Sequence, residues 1–241
     1  MTRPVCAIVG AGEGLGRALA VKFTNQEFDV ALLSRSGTSS AAALEAVANG
    51  ETNAKYYSAD ATQPETIESA LAKVADEMGD IDVLIYNARG DFTACEPLDM
   101  SYEALGNVFQ VEVIGAFAAA KSVLPTMIKR SCGSMFFSSA TAAYRGSRAY
   151  PLYAIGKFGL RALSQSLTKA YAKDGVHIVH VRLDCDLDVP YMRKAYGDTY
   201  DPEKLASPED VAESYWLTHL QPKSAWSNEI ELRPHTEVWT Y

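Results

Sequence analysis

Short apolar runs alternate along this chain with longer stretches in which apolar residues recur every three or four positions. The runs VCAIV (5–9), DVALL (29–33), AKYYS (54–58), DVLIY (82–86), GSMFF (133–137) and VHIVHVRL (176–183) have the length of strands. Between them, 15–25, 41–48, 64–78, 102–129 and 152–173 carry the period of a helix. Strands apolar on both faces need cover on both, and a parallel crossover needs a connection as long as these helices. The alternation therefore predicts an α/β fold, a doubly wound parallel sheet with helices on both faces. No repeat, charge block or Gly/Ser linker interrupts it, so residues 1–241 read as a single domain. One stretch breaks the pattern. Residues 184–207, DCDLDVPYMRKAYGDTYDPEKLAS, are too long and irregular for an ordinary connection and read as a lid or substrate loop.

Charge and cysteine usage narrow the partners. With 22 Lys+Arg against 30 Asp+Glu the net charge is −8, which argues against nucleic acid or an anionic membrane as the main partner. Cysteines 6, 95, 132 and 185 form no CxxC pair, so they are expected to pack in a reducing compartment. No 18 apolar residues run together, and the apolar run near the N-terminus is too short for a signal segment; a cytoplasmic location is expected. His177 and His180, three apart on a strand, point to opposite faces, and His219 and His235 lack partners at ligand spacing; no metal is expected. The aromatic residues Tyr215, Trp216, Trp226, Trp239 and Tyr241 are expected to serve core or subunit packing.

Two motifs carry candidate chemistry. The first strand runs into Gly10-Ala-Gly12-Glu13-Gly14-Leu15-Gly16 and then a helix. Glycines there let the backbone approach a ligand, and the N–H groups and positive end of the helix attract a pyrophosphate. The second strand ends at Ser34-Arg35-Ser36 with no acidic residue, a setting that offers a 2′-phosphate a cation and hydroxyls and so points to NADP over NAD. The second motif is Tyr153-Ala-Ile-Gly-Lys157, preceded by Pro151 where a helix would begin. Residues four apart share a helical face, so the ammonium lies beside the phenol and lowers its pKa, readying Tyr153 to exchange a proton with a substrate oxygen. Ser138 and Ser139 end the preceding strand, where a hydroxyl would hold that oxygen.

With a GxxxGxG turn at 10–16, a strand-end serine and YxxxK at 153–157, the chain resembles the short-chain dehydrogenase/reductase family along nearly its whole length. The resemblance implies a Rossmann-type fold and an NADP-dependent transfer of hydride between nicotinamide and a small carbonyl or alcohol substrate. It implies cofactor contacts from Gly10, Glu13, Gly14, Leu15, Gly16, Ser34, Arg35, Ser36, Asp60, Ala61, Asn87 and Ala88, and from Tyr153 and Lys157. In its terms Tyr153 is the acid/base, Lys157 lowers its pKa and holds the nicotinamide ribose, and Ser139 orients the substrate, with Ser138 as the alternative. It also implies a homo-oligomer, dimer or tetramer, built on helices 102–129 and 152–173. The chain departs from the family at Val9, Tyr86, Arg89 and Asp184-Cys185, and at Glu112, which stands where the family has an Asn of its proton relay. Glu112 either replaces that amide in the relay or pairs with Lys157 and restrains it. Arg89, Phe92, Tyr144, Arg145, Tyr191, Met192 and Tyr196 are the candidates for lining a substrate pocket. A dinucleotide-binding sensor or scaffold that has lost catalysis is the rival reading.

Overall fold

The computed structural model describes residues 3–48 and 53–238. Seven parallel strands form one sheet in the order β3-β2-β1-β4-β5-β6-β7. They are β1 (Val5–Val9), β2 (Asp29–Ser34), β3 (Ala54–Ser58), β4 (Ile81–Tyr86), β5 (Ser134–Ala140), β6 (His177–Leu183) and β7 (Glu229–Leu232). All six expected strands are found within a few residues of their predicted ends, and β7 is an addition. So are α1 (Leu15–Asn25), α3 (Pro64–Met78) and α6 (Pro151–Tyr171). Alternation along each strand splits the interior in two. Val5, Ala7 and Val9 face a core under α3 and α6, whereas Cys6 and Ile8 face a second core under α1. After β3 the chain returns to the other side of β1, so the connections leaving β1 and β4 lead to helices on opposite faces of the sheet and open a crevice at the carboxyl ends of the strands.

The long helix expected over 102–129 is found, with a widened turn that periodicity does not show. It runs as Tyr102–Arg130, with α4 (Tyr102–Phe109) and α5 (Ala116–Arg130) joined by a π turn, Gln110–Gly115. Tyr86, at the end of β4, donates its hydroxyl to the Val111 carbonyl at 2.5 Å and so holds a backbone group of the widened turn. By length and composition alone this helix could cross a membrane, yet half of its most apolar stretch is packed inside the fold. Helix α2 (Gly37–Val47) starts four residues before the apolar period does, because Ser36 caps it by accepting from Ser39 N–H.

Residues 184–207 are more ordered than a plain loop. They contain α7 (Pro190–Tyr196) and two short 3₁₀ turns, and a Leu187–Ala206 bridge closes their base. Asp188 binds Arg193 at 2.6 Å and accepts from the Tyr200 hydroxyl at 3.1 Å. Helix α8 (Pro208–His219) follows, capped by Ser207. Its Tyr215 is fully buried, and Trp216 meets Phe23 edge-on at 5.8 Å, while Trp226 stacks on His177 at 4.6 Å. Those three are packing residues, as expected; Trp239 and Tyr241 lie outside the described residues.

Candidate active site

The glycine turn is shaped by what crosses it. Gly10 has φ +87°, and a Cβ there would fall 2.5 Å from the Ala88 nitrogen, so only glycine lets the β1 and β4 loops meet. Asn87 ties them together, donating its backbone N–H to Val9 O at 2.7 Å and its side-chain amide to Gly10 O at 3.0 Å. A Cβ on Gly16 would reach 2.8 Å from Ala11, and one on Gly14 would lie 3.1 Å from Val189 of the 184–207 segment. Helix α1 starts without a side-chain cap, leaving its first N–H groups directed into the crevice. Leu15 is buried and offers only its backbone there, while Glu13 lies exposed at the lip. Sequence reading missed Ser40, a buried serine of α2 whose hydroxyl donates to Ala11 O at 3.0 Å and braces the turn from behind.

Around the far end of the crevice, Arg35 is exposed and makes no ion pair or hydrogen bond among the described residues. Its flanking serines are partly occupied: Ser34 donates to Ser36 O at 2.8 Å, and Ser36 caps α2. Asp60 accepts from the Thr62 N–H at 2.9 Å through one carboxylate oxygen. The carbonyl of Ala61 sits against Gly115, where a Cβ would approach to 2.6 Å. An uncapped helix start, a glycine cradle that a side chain would fill and an unpaired guanidinium fit a dinucleotide.

Pro151 starts α6 two residues before Tyr153, so Tyr153 and Lys157 lie on one face, with the ammonium 5.5 Å from the centre of the phenol ring. Lys157 is buried and donates to Glu112 Oε2 at 2.9 Å and to the Ser138 carbonyl at 3.2 Å. Glu112, fully buried in the π turn, accepts from Gly90 N–H at 2.8 Å through its other oxygen. Gly156 makes this possible: a Cβ there would come within 2.6 Å of Val108 and 2.8 Å of Glu112. Tyr86, Glu112, Gly90 and Gly156 therefore form one construction, although Tyr86 and Glu112 look like isolated changes in the sequence.

Burial pushes the Tyr153 phenol above its ordinary pKa; Lys157 pulls it down, Glu112 pushes it up, Arg89 pulls it down and Tyr191 pushes it up. The sequence-based expectation of a lowered pKa is thus corrected. Lys157 acts in the expected sense, but desolvation outweighs it and the paired carboxylate offsets part of it. Of the two strand-end serines, Ser138 is turned to the α8 side and bonds Tyr215 OH at 2.8 Å. Ser139 points to the α6 side, and its buried hydroxyl has no protein partner.

The residues considered for a pocket separate. Phe92 stacks on Tyr150 at 4.4 Å and meets Tyr153 edge-on at 4.8 Å, and Arg89 lies over Phe92 at 5.4 Å. Tyr191 of α7 is close enough to act on the Tyr153 phenol. Tyr144 is committed elsewhere: its ring lies between Arg161 at 3.6 Å and Arg182 at 4.0 Å, and its hydroxyl donates to Glu229 at 2.6 Å. Tyr196 donates to Asp186 at 2.7 Å. Asp184 accepts from Thr141 and pairs with Arg233 at 2.7 Å, while burial raises the neighbouring Cys185 thiol to about 12, so that thiol is no nucleophile.

A doubly wound sheet with a glycine turn at its switch point and a Tyr–Lys helix beside it defines a class of dinucleotide-dependent oxidoreductase folds. Within it, the family model for short chain dehydrogenases matches residues 4–185, and the chain belongs to that family. An uncharacterised oxidoreductase of Staphylococcus aureus strain MRSA252 is 26% identical over 238 residues, covering 97% of this chain and 98% of its own. Among solved structures, a short-chain dehydrogenase from Rhodopseudomonas palustris superposes with a TM-score of 0.82 at 26% identity, over 96% of this chain and 99% of that one. An alcohol dehydrogenase from the archaeon Thermococcus sibiricus, complexed with 5-hydroxy-NADP, shares the fold with a TM-score of 0.86 at 22% identity, over 99% and 100%.

Proposed function

We propose that this oxidoreductase transfers hydride between NADP and a small carbonyl or alcohol substrate, with Tyr153 as the acid/base. The observation that carries this is the Tyr153–Lys157 pair beside the unpartnered buried hydroxyl of Ser139, at the crevice that the glycine turn opens. A bound nicotinamide would supply or accept the hydride at the substrate carbon. In reduction Ser139 donates a hydrogen bond to the carbonyl oxygen, and Tyr153 passes its proton to that oxygen as the alcohol forms. Lys157 stabilises the resulting phenolate, and oxidation runs the same steps in reverse. Both oxygens of Glu112 are occupied by protein donors, which favours its role as a positioning residue for Lys157 over membership of a water-linked relay. Arg35 supports NADP, as does the NADP derivative bound to the Thermococcus sibiricus dehydrogenase. Asp60, Ala61, Asn87 and Ala88 would frame the adenosine and ribose side of the cleft.

Phe109, Phe117 and Phe158 are 39–49% exposed on the long helix and α6, and a second copy of the chain packed there completes the proposal as a cytoplasmic homo-oligomer. One observation favours the rival: a Lys157 held by Glu112 is restrained from a ribose hydroxyl, as in a sensor that binds without turnover. A broad panel of carbonyl and alcohol compounds, assayed with each nicotinamide cofactor, decides between them. NADPH oxidation with at least one carbonyl compound is expected; tight dinucleotide binding with no turnover of any compound would favour the sensor.

A further inference from the structure

We infer that the substrate is an acid, a compound bearing a carboxylate beside its carbonyl or alcohol group, and that Arg89 receives the carboxylate. This rests on the reading of Tyr153 as acid/base and names the substrate class for that site. Four cations around the phenol and the 184–207 segment are matched by carboxylates. Lys157 pairs with Glu112, Arg193 with Asp188, Arg148 with Glu96 and Arg161 with Glu229. Arg89 forms no ion pair or hydrogen bond among the described residues, and Asp91, two positions on, accepts from the Thr93 hydroxyl at 2.6 Å instead. The exposed guanidinium lies over the ring of Phe92 at 5.4 Å, and that ring stands edge-on against Tyr153 at 4.8 Å. Its charge is felt at the Tyr153 phenol.

Because the Lys157 and Glu112 charges cancel, Arg89 supplies the uncompensated charge facing the reacting oxygen, in a chain whose net charge is −8. A guanidinium presents a fork of N–H donors matched to a carboxylate, and the Phe92–Tyr150 stack offers a flat apolar shelf for the carbon skeleton between the two polar ends. The carboxylate stays unchanged in the reaction. Two electrons and a hydrogen arrive as hydride at the carbonyl carbon from NADPH, Tyr153 gives the proton to the oxygen, and the keto acid becomes a hydroxy acid.

The test compares keto acids with their own amides and methyl esters in the wild type and in Arg89→Met, which keeps the contact with Phe92 and loses the charge. The wild type is expected to prefer acids by about tenfold or more in kcat/KM, the worth of one charge-assisted hydrogen bond. Arg89→Met should abolish that preference, read as the ratio of acid to ester so that any change at the Tyr153 phenol cancels, while leaving the affinity for NADPH within a few-fold. Equal use of acids and amides by the wild type would overturn the inference. So would a parallel loss of NADPH affinity in Arg89→Met, which would place the guanidinium on the dinucleotide phosphates. If nothing turns over, the acid/base reading fails by itself. Thermal stabilisation of the NADP-bound protein by the acids but not their amides, lost in Arg89→Met, would still uphold carboxylate binding, and its absence would refute it.

Discussion

A single buried carboxylate sets the charge around the Tyr153–Lys157 pair. Glu112 faces Lys157 on one side and the Gly90 N–H on the other, so its charge is spent inside the protein. Because Glu112 raises the Tyr153 pKa, Glu112→Gln should move the limb of alcohol oxidation that depends on phenol ionisation to lower pH and reduce kcat. The same change leaves a buried ammonium without its counter-charge and should cost about 3–5 kcal/mol in chemical denaturation. An unchanged pH profile would remove Glu112 from the catalytic account. Tyr153→Phe removes only the transferable proton; dinucleotide affinity by fluorescence titration should stay within a few-fold while turnover falls to background. Retained turnover would end the acid/base assignment. The juxtaposition of Tyr153 and Lys157 was legible because four-residue spacing on a helix fixes a shared face whatever surrounds it. For Glu112 the pair with Lys157 was one of two alternatives, and the sequence could not choose between them, since the choice depends on where a π turn aims the carboxylate and a π turn has no periodic signature.

Elements were readable in proportion to their apolar content. The central strands are buried on both faces and announce themselves as continuous apolar runs. Strand β7 alternates Glu and aliphatic residues over four half-buried positions, and α7 is polar and exposed, so neither rises above its surroundings. The serine-rich start of α2 likewise shows its cap and not its period. At the crossing of the long helix with α6, Gly156 is required by Val108 and Glu112 together. Gly156→Ala should therefore destabilise the protein by about 1–3 kcal/mol, as overpacking does, although alanine is the better helix former. A gain in melting temperature would show that the two helices can separate at no cost.

The whole molecule carries an acid liability in its interior. Burial holds His180 down at about 4 and lowers His177 and His219, and His180 has no hydrogen-bond partner for either nitrogen. The unfolded chain takes up these protons near pH 6.5, the folded protein only at lower pH. Stability is thus fully present above 6.5 and declines as the pH falls towards 4, by roughly 3 kcal/mol from His180 alone. Glu229, held down to about 2 by Arg161, adds its own loss only below the usual carboxylate range. Melting temperatures across this window should fall steeply for the wild type and less so for His180→Leu; equal slopes would clear His180. The strand order has a kinetic consequence as well. Val5 of β1 pairs with Asp29 on one side and with Ile81 on the other, so three strands can assemble before the fourth arrives to close the crevice. A ligand that needs both walls meets nothing to bind until β4 has docked. NADP should therefore slow unfolding in a stopped-flow denaturant jump and leave the refolding rate unchanged, so that the cofactor guards the finished protein without guiding its formation.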